Sequence, residues 1–68
     1  MILTVEIEPE DDGRWMADVL DLPGVMAYGP SAQEAIAKAK ALAPRVVADR
    51  LEHGEAGSEL RDISFKAA

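Results

Sequence analysis

"DLPGVMAYGPSAQEA", residues 21–35, places two chain reversals, a short apolar run and a helix start within fifteen positions. Pro23 presets φ for the second position of a turn, and Gly24 can adopt the positive φ that a type II turn requires at the third. "VMAY", residues 25–28, is apolar on both sides; it reads as a third strand whose inward face alternation does not settle. Gly29 and Pro30 stop it. Ser31 then opens a helix: its hydroxyl can accept from the Glu34 N–H while the Glu34 carboxylate reaches back, the capping box S-x-x-E.

Downstream, Ala32, Ala35, Ile36, Ala39, Leu42, Ala43, Val46 and Arg50 recur at spacings of three and four, which predicts an amphipathic helix. Glu34 and Lys38 form a favourable i,i+4 pair on its other side. Pro44 lacks the N–H that the helix ladder needs, a defect of about 3 kcal/mol if nothing compensates, so a bend or break is expected over residues 41–44. Gly54 is the expected left-handed cap, and "EHGEAGSE", residues 52–59, leads through a flexible loop to "LRDISF", where Arg61, Ile63 and Phe65 alternate as a last strand.

Upstream, "ILTVEIE", residues 2–8, alternates Leu3, Val5 and Ile7 against Ile2, Thr4, Glu6 and Glu8. "RWMADVL", residues 14–20, sets Trp15, Ala17 and Val19 against Met16, Asp18 and Leu20. Both have the period of a strand with one buried face. Pro9 and the polar turn "EDDG" between them make a hairpin. The order is therefore β-β-β-α-β, an α+β fold in one domain over residues 1–68, with one helix on one face of a single sheet. The right-handed crossover rule sets the fourth strand parallel to the third, docked beside the first. The other face, with Ile2, Thr4, Met16, Asp18 and either Met26 or Tyr28, has no covering layer and is the natural interface.

Thirteen acidic residues against seven basic ones give a net charge of −6, which repels phosphate backbones and favours basic partners. Direct nucleic-acid binding is not expected. A chain this short buries only about 60% of the surface its unfolded form exposes, so self-association is a natural source of added stability. The chain has no cysteine, hence neither disulfide nor thiolate metal site. No signal peptide or membrane span is legible, and a cytoplasmic protein is expected.

No catalytic constellation emerges. The acids of residues 8–12 cluster at a hairpin tip without calcium-loop spacing, the one histidine, His53, sits where it favours a helix dipole, and Ser31, Ser58 and Ser64 have no base beside them. No enzyme, cofactor or metal is expected. Trp15 reads as core, whereas Tyr28 fits core and interface equally.

Taken together, Trp15-Met16-Ala17, Asp21-Leu22-Pro23-Gly24, Gly29 and Glu34-Ala35 resemble the HicB-like antitoxin family, with its aromatic-x-Ala segment, D-L-P-G turn and Gly-led helix start ending in Glu-Ala. Pro30-Ser31 stands where members often have Asp-Thr, and Val25 where they often have Cys. The resemblance covers nearly the whole chain. It implies a partial ribonuclease-H-like fold without the nuclease's catalytic acids, which sequesters a small basic RNA-cleaving toxin, HicA. Many members append a DNA-binding domain; none is expected within these 68 residues, so autorepression by this chain is not expected. On this reading Glu6, Glu8, Glu10, Asp11, Asp12 and Asp18 meet the basic partner, with Tyr28 as an anchor. The alternative is a stand-alone homo-oligomer without a toxin.

Overall fold

The computed structural model describes residues 1–54 and 62–68. Strand β1 spans Ile2–Pro9 and β2 spans Trp15–Val19, paired antiparallel with Val5 opposite Val19 and Pro9 opposite Trp15. The alternation resolves as expected: Leu3, Val5, Ala17 and Val19 are buried, with Ile7 and Trp15 packed against them. Glu10 N–H donates to the Arg14 carbonyl at 2.7 Å and Gly13 N–H to the Glu10 carbonyl at 3.1 Å, closing the hairpin.

The second reversal forms where Pro23 and Gly24 require it. Val25 N–H donates to the Leu22 carbonyl at 3.0 Å, with Gly24 at φ +87°. Strand β3, Met26–Gly29, follows antiparallel to β2. Its phase is set by the helix. Gly29 lies against the first helical turn so closely that a Cβ there would stand 2.8 Å from the Ala35 nitrogen. Gly29 and Ala27 therefore face inward, and Met26 and Tyr28 face out.

Helix α1 spans Ala32–Glu52. Ser31 Oγ accepts from Glu34 N–H at 3.2 Å, one half of the capping box; the reciprocal bond from the Glu34 carboxylate is not formed among the described residues, and Glu34 points into water. The buried face consists of Ala35, Ala39, Ala43 and Val47, flanked by Ile36, Leu42 and Val46. Val47 joins the expected stripe, while Ala32 and Arg50 at its ends lie outside the core cluster. Alanines let the helix approach the sheet closely over β3 and β2.

Pro44 does not divide this helix: the helical pattern runs unbroken to Glu52. Pro44 and Lys40, whose carbonyl loses a partner, are both exposed, so water can take the vacated bond. At the far end, Gly54, with φ +70°, donates to the Leu51 carbonyl at 3.1 Å, the expected left-handed cap.

Strand β4, Ser64–Ala67, lies parallel to β1 with Phe65 opposite Leu3, and the sheet order is β3-β2-β1-β4. Among the described residues this is the predicted four-stranded α+β arrangement, with a single helix on one face. Ile63 and Phe65 pack on the core as expected; Arg61, Ser58 and most of the loop expected before β4 lie outside the described residues. Among the described residues, no helix is long and apolar enough to cross a membrane.

Candidate functional site

Among the described residues no layer covers the face of the sheet opposite α1, and strand register sorts its side chains into rows. Glu6, Asp18 and Met26 lie side by side across β1, β2 and β3. Glu8, Met16 and Tyr28 form the next row toward the hairpin. On the other side, Thr4 pairs with Lys66 and Ile2 with Ser64 across β1 and β4. The face thus joins three carboxylates to a band of apolar side chains, of which Ile2, Met26 and Tyr28 are well exposed.

Glu6 and Asp18 stand directly opposite each other, a like-charge cross-strand pair that costs stability in the isolated domain. Among the described residues the ion pairs involve Asp12 and Asp49, and none reaches Glu6, Glu8 or Asp18. Among the described residues these carboxylates have no cation partner.

Glu10, Asp11 and Asp12 sit not on this face but at the β1–β2 tip. Asp12 is engaged internally. Its Oδ2 pairs with Arg14 Nε at 2.7 Å, and its Oδ1 accepts the Arg14 N–H at 3.1 Å. The backbone hydrogen bond, followed by the side-chain one, holds the Asp12 carboxyl below its ordinary value of 3.8. The same guanidinium lies 4.6 Å from the centre of the Tyr28 ring, so Asp12, Arg14 and Tyr28 form a connected unit at one corner of the face.

Arg14 escaped the sequence reading because its role depends on the β2–β3 register, which sets it diagonally beside Tyr28. Tyr28 itself is resolved in favour of the open face, 37% exposed. Trp15 packs against the core as read.

The motif residues Asp21, Leu22, Pro23 and Gly24 shape the end of this face. Leu20 N–H donates to the Thr4 carbonyl at 2.9 Å, and the returning bond from Thr4 N–H goes to Asp21 Oδ2 at 2.6 Å. Leu22 is buried while Pro23 and Gly24 stay in solvent. Ala17 is fully buried at the sheet centre, and Ala35 under the helix start. His53 caps the helix C-terminus, its Nδ1 2.7 Å from the Asp49 carbonyl. Among the described residues no group of three or more His, Cys, Asp or Glu is placed to hold a metal ion.

No protein-family model matches this chain, and no match was found among curated proteins or solved structures.

Proposed function

We propose that this chain is a non-enzymatic binding protein of the HicB-like antitoxin kind, acting in the cytoplasm by covering a small basic RNA-cleaving toxin with the open face of its sheet. The observation that carries the reading is the set Glu6, Glu8 and Asp18, without internal ion pairs among the described residues, beside exposed Met26 and Tyr28. Acidic side chains steer a basic partner into encounter, and the apolar band supplies the area that holds it. RNA is then excluded from the toxin's basic surface by occupation. Glu10 and Asp11 at the tip extend the field without joining the contact.

A second reading follows from exposed Ile2, Met26 and Leu20: the same face pairs with a copy of itself, and no toxin exists. Purification of the tagged chain from its native cells, with mass spectrometry and light scattering, separates the two. A small basic protein at stoichiometric yield, which cleaves RNA alone and stops when the chain is added back, carries the antitoxin reading. Recovery of the chain alone as a defined oligomer overturns it in favour of the second.

A further inference from the structure

On the opposite side of the sheet, α1 leaves a corner uncovered. Close approach at Gly29 and the alanine face seats the helix over β3 and β2, and it spans β1 less closely. Between Ile36 on the helix flank and Val5, Ile7, Phe65 and Ala67 on β1 and β4, a cavity of about 150 Å3 remains. Lys40, one helical turn beyond Ile36, stands at its wall with Nζ 5.6 Å from the centre of the Phe65 ring. Lys66 also lines the cavity, but its register with Thr4 roots its side chain on the other face, so among the described residues Lys40 is the cation on this side.

We propose that this cavity binds a small carboxylate with a single-ring or branched apolar body, its apolar part against Ile7, Ile36 and Phe65 and its carboxylate on Lys40. Size sets the first limit: a pocket of about 150 Å3, open to solvent on one side and lined mostly by apolar atoms, accommodates a benzene-sized group. Charge sets the second. Among the described residues no acid lines this cavity, and the charged side chain that does on this side of the sheet is Lys40. Lys40 already lies over an aromatic face, so a carboxylate arriving there gains a charge-assisted hydrogen bond while the ring keeps its neighbour. The site lies on the far side of the sheet from the acidic face and does not depend on the antitoxin reading.

The test is a titration of the full chain with sodium benzoate, followed by amide chemical shifts in NMR, with benzamide and acetate as comparison probes. Benzoate is expected to give saturable shifts at Ile7, Ile36, Phe65 and Ala67, with benzamide and acetate both weaker. Lys40→Met, which keeps the apolar stem, is expected to weaken benzoate about tenfold, and Lys40→Arg to retain most of the affinity. No saturable shift, shifts confined to the open face, acetate equal to benzoate, or an unchanged affinity in Lys40→Met would each overturn the proposal.

Discussion

Asp21 takes the place of a backbone carbonyl for Thr4. The Thr4 N–H donates to Asp21 Oδ2 at 2.6 Å, while the Thr4 carbonyl receives Leu20 N–H at 2.9 Å in the ordinary antiparallel manner. The β1–β2 ladder thus ends on a side chain as the main chain departs into the Pro23–Gly24 turn. The aspartate of D-L-P-G is here a structural residue, and it belongs to the same turn that sets the position of β3.

Replacing Asp21 with Ala leaves the Thr4 N–H to water at a partly exposed position, at a cost of about 1 kcal/mol. Urea denaturation should show a lower midpoint, and the Thr4 amide should exchange faster with solvent. Asp21→Asn, which keeps an acceptor oxygen, should recover most of both.

Gly29→Ala meets backbone, not a movable side chain. The new Cβ would lie 2.8 Å from the Ala35 nitrogen and 3.1 Å from the Glu34 carbonyl carbon, so the helix start must shift. The expected loss is about 2 kcal/mol. In a domain of this size that lowers the melting temperature by roughly 10 °C. Gly24→Ala, at φ +87° with open space around it, should cost about half as much, from backbone strain alone.

Pro44→Ala restores the hydrogen bond to the Lys40 carbonyl in a helix that already runs through this position. It also frees the unfolded chain, which offsets part of the gain. A net stabilisation of about 1–2 kcal/mol is expected in chemical denaturation. A loss would mean that the helix depends on the proline.

The Asp12–Arg14 contact predicts a pH dependence of defined sign. Because the folded carboxyl titrates below its ordinary value of 3.8, its contribution to stability is present above that value and is lost as pH falls through the folded value. The stability difference between the native chain and Asp12→Asn should therefore be present at neutral pH and vanish in acid. High salt should shrink it, since both side chains are exposed. A difference independent of pH would remove the assignment.

Asp18→Asn separates folding from binding. Relieving the Glu6–Asp18 repulsion should stabilise the free domain by about 0.5 kcal/mol. Charge reversal at Glu8 and Asp18 should slow association with a basic partner, as read by stopped-flow or surface-based kinetics. Unchanged association rates would remove the steering mechanism, whatever the affinity.

The elements of this fold are written locally. Period-two alternation at Leu3, Val5 and Ile7 and at Ala17 and Val19 suffices for two strands and their inward faces, and Ser31 and Gly54 bracket the helix. Local rules do not weigh surroundings. Pro44 predicts a bend or a break over residues 41–44; the break does not occur, because the exposed position lets water satisfy what the helix cannot. The acidic run of residues 8–12 read as one patch, whereas the hairpin puts Glu8 on the sheet face and Asp12 at the tip, bound to Arg14.

Composition and periodicity were therefore enough for a four-stranded α+β domain with one acidic, uncovered face, because burial of alternate side chains and capping of helix ends are decided within a few residues. The phase of β3 was not available from "VMAY", where both faces are apolar; it is settled by the approach of α1 to Gly29, which leaves no room for a side chain. The union of Asp12, Arg14 and Tyr28, the opposition of Glu6 to Asp18 and the corner cavity at Lys40 and Phe65 likewise exist only once strand register and helix placement are set. Distances across strands are a property of the assembled sheet, and no local spacing encodes them.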